Sequence, residues 1–237
     1  MNFKKYHEQN LAETKKKIKE SVSFDDFIVQ AINHIDEINR VANTLAKRLR
    51  EWYELYNPEF SRSIPDHEKF VELVVSEKDI KEAGSMGADL SKEDLEPILD
   101  LAKEISALYS LRRFQERYLE ELMKEHCPNI TAVAGAQIGA RLIAIAGDLK
   151  RLVEFPASTV QLLGAEKALF RHMRTGAKAP KHGVIHEHPL ISKAKAKDKG
   201  KVARALADKI SIAAKVDYFK GEFVGDKLRK ELEERFK

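Results

Sequence analysis

Between Gly164 and Ile191 the sequence reads GAEKALFRHMRTGAKAPKHGVIHEHPLI. Its twenty-eight residues hold four histidines, five Lys or Arg, three glycines and two prolines, with only Glu166 and Glu187 acidic. Three kinds of chemistry suit such a stretch. Imidazoles ligate zinc, and His182, His186 and His188 are closely spaced. HEHP is nevertheless not the HExxH helix pattern, no cysteine pair accompanies it, and no fourth ligand is evident. Catalysis would need a nucleotide-binding glycine fingerprint after a strand, a Ser or Cys elbow, or a carboxylate pair, and the region has none of these. The third reading is recognition of an anionic polymer, in which Lys and Arg meet phosphate while a histidine stacks on a base or donates to phosphate. The stretch is therefore expected to meet a phosphate-bearing partner, with no metal, no cofactor and no catalytic residue.

Charge distribution supports the third reading. From Gly164 to Lys220 there are fourteen Lys or Arg against five Asp or Glu, whereas the whole chain of 237 residues carries a net charge of only +4. The basic block thus sits on an otherwise acidic molecule, an electrostatic address for phosphate, with a lipid surface as the weaker option. A plain solvated lysine face would not interleave histidine, glycine and arginine with its lysines.

The elements that position these residues are predicted to be helices. Gly and Pro are few, and Lys, Glu, Ala and Leu are abundant. A basic helix is expected from about Glu166 to Arg174, closed by Gly176 as its C-terminal glycine. At about 100° per residue, Lys167, Arg171 and Arg174 share one face of it. Beyond the loop APKHGVIHEHP, Asp198 to about Phe219 is expected to be helical, with Lys201, Arg204 and Lys215 along one side and Asp208 among them. Two basic helix faces joined by a His, Gly and Pro loop form a phosphate cradle. Ahead of it, Thr131 to Glu154 reads as one Ala- and Gly-rich helix, and Ser158 with Gln161 reads as a capping box. The apolar segment Ile130–Gly147 is at the short limit for a membrane span and carries Gln137 and Arg141, so a buried helix is expected and no membrane partner.

A rod precedes this region. Phe24, Ile28, Ala31, Ile35, Ile38, Ala42, Leu45, Leu49, Trp52 and Tyr56 recur at alternating steps of four and three, a coiled-coil seam. Asn57 and Pro58 are expected to stop that helix, and Asp66 to cap a short one through about Lys81. Ser91 with Asp94 marks the start of a third helix, from Leu95 to about Glu125, with Ile98, Ala102, Ile105, Leu108, Leu111, Tyr118 and Leu122 on a looser stripe. The seam exceeds what this intramolecular partner obviously matches, so Ile28, Ile35, Ile38, Leu45, Leu49 and Trp52 are expected to join two chains as a homodimer. The lone Cys127 excludes an intramolecular disulfide and reads as a packed thiol. Met1 to Ser21, dominated by Lys and Glu, reads as a charged lead and not as a secretory leader.

The run Gly164–Ile191, the preceding GARLIAIAGDLKRLVEFPASTVQLLG, the later GKVARALADKISIAAKVDYF, and REWYELYNPEF at the turn of the rod together resemble the Nop-domain scaffold proteins of box C/D ribonucleoproteins, the archaeal form above all. The resemblance covers about Val22 to Lys237. It implies an all-α protein in which a long antiparallel coiled coil, 22–126, is followed by a helical Nop domain, 127–237, after a lead of 1–21. It implies a noncatalytic scaffold for guide-directed RNA 2′-O-methylation. Such a scaffold dimerises through its coiled coil and grips kink-turn guide RNA already held by a small ribosomal-protein-like binder. Fibrillarin, the methyltransferase, docks on a separate N-terminal domain in that family, and no such domain is expected in this chain. The expected RNA contacts are Lys167, Arg171, Arg174, Lys178, Lys181, His182, His186, Lys201, Arg204 and Lys215. An archaeal protein of this kind would be cytoplasmic and a eukaryotic one nucleolar. The alternatives are a spliceosomal Nop-domain protein, which GAEKALFRHM resembles less well, and a zinc-dependent protein using His182, His186 and His188.

Overall fold

The computed structural model describes residues 3–76 and 84–236, and every regular element among them is helical. In chain order these are α1 (Phe3–Glu20), α2 (Phe24–Tyr53), α3 (Pro58–Ser63), α4 (His67–Val75), α5 (Lys92–His126), α6 (Pro128–Ala134) and α7 (Ala136–Ala146). They are followed by α8 (Leu149–Glu154), α9 (Ala157–Leu162), α10 (Glu166–Thr175), a 3₁₀ turn (Val184–Glu187), α11 (Pro189–Ser192), α12 (Lys199–Tyr218) and α13 (Gly225–Arg235). The chain forms two compact units, one from residues 33–117 and one from the described residues of 1–32 and 118–237.

In the 33–117 unit, α2 and α5 run antiparallel. Asn39 Oδ1 accepts from Arg112 Nη1 at 3.0 Å, and four residues further along α2 Asn43 Oδ1 accepts from Tyr109 Oη at 3.4 Å, three residues back along α5. Helix α4 packs Phe70, Val71 and Val74 into a core with Ala42, Ala46, Leu49, Tyr53, Ile98, Ala102, Ile105 and Tyr109. Two of the expected caps form: Asp66 accepts from Lys69 N at 2.7 Å, and Ser91 Oγ from Asp94 N at 3.2 Å. Asn57 and Pro58 do more than end α2, because Asn57 caps α3 and Pro58 occupies its first turn, where the missing N–H is harmless. Helix α4 stops at Val75, short of Lys81, and the remainder of that expected helix lies partly outside the described residues.

The seam corrects the reading of the dimer. Ile28, Ile35, Ile38 and Leu49 are buried within the single chain, and Leu45 is partly buried against the 33–117 core. A second copy therefore cannot use them without unfolding this one. Past Ala42 the buried register moves on by one residue, to Ala46 and Tyr53, and leaves Trp52 40% exposed. A straight helix advances about 3.6 residues per turn, so a strict 3.5-residue stripe drifts off the core.

In the other unit α12 is the central element, with α6, α8, α9 and α13 packed around it. Its buried side runs through Val202, Leu206, Ile210 and Ala213. The helix expected over 131–154 is instead three helices. Gly135 (φ 85°) and Gly147 (φ 102°) take backbone conformations that side-chain-bearing residues avoid, and α6 and α7 bend by 115° between them. Asp148 then caps α8 through Arg151 N at 2.6 Å. No single helix among the described residues is long and apolar enough to cross a membrane. The Ser158 capping box does not form: Pro156 precedes α9, Ser158 lies inside it, and Gln161 Nε2 donates to the Lys181 carbonyl at 2.6 Å. Cys127 is fully buried where α5 meets α6, and burial pushes its thiol up to about 12. Asp217 of α12 ties the hub together. Its carboxylate accepts from Asn129 N (3.0 Å), Asn129 Nδ2 (2.7 Å) and Ile130 N (2.8 Å) at the start of α6, while Asn129 Oδ1 accepts from Val224 N (2.7 Å) ahead of α13. Every residue of α1 is exposed.

Candidate nucleic-acid interface

The loop between α10 and α11 is fastened by its backbone. Gly176 ends α10 in the left-handed region (φ 67°), with its N–H on the His172 carbonyl at 2.9 Å. Gly183 N donates to Gln161 O and Val184 N to Leu163 O, both at 2.8 Å. The approach at Gly183 is so close that a Cβ there would lie 1.8 Å from Leu163 O, so only glycine fits. This anchor aligns the two histidines that flank it. The rings of His182 and His186 lie 17° from parallel with centroids 5.8 Å apart, and His186 Nδ1 donates to the Gly183 carbonyl at 3.1 Å. Burial, helped by His186, Lys199 and Lys181, holds the His182 imidazole below its ordinary pKa. An arriving anion would reverse the effect of those cations and favour the protonated ring.

His188 has a different fate from its neighbours. Its Nδ1 accepts from Leu190 N at 3.2 Å and caps α11, and its ring donates to the Val133 carbonyl at the end of α6. With both nitrogens committed to backbone, the ring is a neutral structural strut and not a free ligand. Among the described residues, no three His, Cys, Asp or Glu are grouped to hold a metal.

The ten expected RNA contacts fall into three sets. Lys181, Lys201 and Arg204 line one cleft of about 1060 Å³, together with Gln161, Lys197, Gly200 and Arg235, and only Asp208 opposes them. His182 lies beside that set, within the electrostatic reach of Lys181 and Lys199, and His186 stacks on it. Lys167, Arg171 and Arg174 stand on α10, none of whose residues is buried, and Lys178 follows at its exit. On the flank adjoining that basic face, about 40° and 100° round the helix from Arg174, α10 leaves Phe170 57% and Met173 69% exposed. Lys215 is exposed but lies eleven residues beyond Arg204 on α12, about 16 Å along the axis, outside the cleft. Sequence reasoning missed Lys197 and Arg235. Lys197 was legible in the alternating run KAKAKDKGK, whereas Arg235 enters only because α13, an element not foreseen, brings it there.

Residues 34–237 match the family described as Nop, snoRNA binding domain, fibrillarin. A NOP5 family protein of Methanocaldococcus jannaschii is 42% identical over an alignment covering 98% of this chain and 61% of the relative. Nucleolar protein 56 of Schizosaccharomyces pombe is 39% identical, with 89% of this chain and 48% of the relative covered. The chain thus spans about half to three-fifths of the length of these curated relatives. Among solved structures, a fibrillarin/Nop5p complex contains a chain that superposes with a TM-score of 0.60 at 28% identity, covering 99% of this chain and 77% of that one. With a family match running from the first third of α2 to the end of the sequence, the chain belongs to the Nop family.

Proposed function

We propose that this chain is a noncatalytic RNA-binding scaffold of a box C/D ribonucleoprotein, acting in guide-directed 2′-O-methylation. The observation that carries the reading is the cleft in which Lys181, Lys201 and Arg204 converge beside the stacked His182 and His186. Cations without a catalytic constellation bind phosphate and shape, and two parallel imidazoles present faces and donors to an unpaired base. The exposed α10 carries Lys167, Arg171 and Arg174 on one face with Phe170 and Met173 on the adjoining flank, which suits contact with RNA at an edge shared with a small ribosomal-protein-like kink-turn binder. In this reading residues 127–237 are the ribonucleoprotein-binding domain. Fibrillarin recruitment follows from the family and would use a part of the assembly outside these surfaces. The site of action is the cytoplasm of an archaeal cell, or the nucleolus of a eukaryotic one.

Self-association through residues 22–126 is a further part of the proposal, on a different surface. Helix α4 grips one flank of the α2 and α5 pair, where Glu68 accepts from Arg112 and Arg113 and Asn39 accepts from Arg112. Val41 and Leu111 stand about 200° around their helices from Asn39 and Arg113 respectively, on the opposite flank. Both are exposed there, as is Phe114. This uncovered apolar flank, and not the buried seam, suits a second copy.

The experiment that tests the function is binding of a kink-turn guide RNA with and without its small protein binder. Affinity should be weak and salt-sensitive for the naked RNA and should rise when the kink is preformed, because ordering the RNA is then no longer a cost of binding. Lys201→Ala with Arg204→Ala should lower the salt slope by roughly two units. Equal, tight binding to naked and partner-bound RNA refutes composite recognition.

A further inference from the structure

The alternating run Lys193-Ala-Lys195-Ala-Lys197 precedes α12 as an irregular segment with all three lysines exposed. A regular strand would set them on one face. Here the chain straddles the first turns of α12. Lys197 lines the cleft that holds Lys201 and Arg204, whereas Lys193 and Lys195 line a second cleft, of about 960 Å³, together with Arg229, Arg235 and Phe236. The two clefts adjoin, because Arg235 and Phe236 at the end of α13 line both. The guanidinium of Arg235 sits 5.5 Å from the Phe236 ring centroid, a cation held over an aromatic face.

The second cleft is positive at its rim. Glu233 neutralises Arg229 at 2.8 Å, which leaves Lys193, Lys195 and Arg235 against Asp198. Its floor is apolar, from Leu190, Val202 and Leu232. Cations along a rim with an aromatic ring at the crossing are the arrangement that follows a single strand, phosphates on the charges and a base against the ring. An isolated basic pocket would fit an acidic peptide equally well. Continuity with the first cleft through Arg235 and Phe236 favours one polyanion that occupies both.

We propose that Lys193, Lys195 and Arg235 form a second phosphate track, with Phe236 as a stacking platform, that holds the RNA strand continuing beyond the kink. This rests on the RNA-binding reading of the first cleft and extends it from recognition of a fold in the RNA to guidance of its flanking strand.

The test uses the full chain with its kink-turn binder and two RNAs, one ending at the kink-turn and one with a single-stranded extension of about ten nucleotides. Wild type should bind the extended RNA more tightly and with a steeper salt dependence. The triple variant Lys193→Ala, Lys195→Ala, Arg235→Ala should bind the two RNAs alike, its salt slope on the extended RNA lower by about two to three units. Phe236→Leu should lose part of the extension's benefit while keeping the slope, a split that a purely electrostatic rim would not produce. All the charges removed are exposed, and an unchanged thermal midpoint checks that the fold is intact. Equal loss on both RNAs would assign these residues to the kink itself and overturn the proposal. An unaltered preference for the extended RNA would overturn it too, as would an acidic peptide that binds this cleft without competing with the extension. Failure of wild type to bind even the short RNA would instead refute the RNA-binding reading beneath it.

Discussion

Removal of the Asp217 carboxylate should unfasten the hub that carries the interface. Asp217→Ala leaves three donors without their acceptor: Asn129 N, Asn129 Nδ2 and Ile130 N. A hydrogen bond to a charged group contributes about 1.5–3 kcal/mol, and an unsatisfied buried donor costs about 1–3 kcal/mol. Asn129 is 1% exposed, so its groups cannot simply turn to bulk water, although the shallow cleft formed by Asn129, Asp217 and Phe223 admits some solvent. Taking one fully orphaned donor and two that recover water gives an expected loss of about 4–9 kcal/mol, a large share of the roughly 5–15 kcal/mol that holds a domain together. Burial pushes the Asp217 carboxyl upward while the three donors pull it back, so all variants are compared at one fixed pH. Urea unfolding of wild type, Asp217→Ala and Asp217→Asn reports the difference. Asp217→Asn should be intermediate, because the amide keeps one acceptor and sets a donor against a donor. Because Asn129 Oδ1 also holds Val224 N, amide exchange in α13 should accelerate in both variants. A loss below about 1 kcal/mol for Asp217→Ala, with unchanged exchange in α13, refutes the hub.

Gly183→Ala should cost about 1–3 kcal/mol and weaken RNA binding beyond that, since its Cβ would strike the Leu163 carbonyl and shift the segment that aligns His182 with His186. Thermal melts and RNA titrations check both effects, and a neutral variant contradicts the close approach. Burial holds the His188 pKa below its usual 6.5, so the unfolded chain takes up the proton first as pH falls. Its stabilising contribution is therefore complete above pH 6.5 and is lost as pH falls below that value, a slope that His188→Gln should flatten in denaturation curves taken between pH 7 and 5. On the coiled coil, Leu111→Glu with Phe114→Glu should yield a folded monomer by sedimentation, whereas Ile35→Glu should unfold the chain, because Ile35 is already buried within it. A wild type that is monomeric at micromolar concentration sinks the dimer proposal outright.

The long helices α2 and α5, the helices α10 and α12, several helix ends and the location of the charge were written in the sequence, because they rest on local rules. Asp66 and Ser91 cap the helices that begin beside them, Gly176 ends α10, and a basic block stays basic however it folds. The long motifs that resemble the Nop family were equally legible, being properties of order along the chain. Only the tertiary structure decided what covers each apolar stripe. A seam of Ile28, Ile35 and Leu49 reports which side of a helix avoids water, not whether the neighbour is its own chain or another, and here it is the same chain. It also decided that Gly135 and Gly147 break a run whose composition alone suited one helix, since glycine permits a left-handed turn without requiring one. Three histidines within seven residues look alike in sequence. Their separation into a stacked pair and a half-buried strut depends on where the Val133 and Leu163 carbonyls lie, and those carbonyls belong to segments distant in the chain. Lys215 and Arg235 changed places for the same reason: helical phase set a side chain's direction, but the packing of α13 against α12 determined which cations share a cleft.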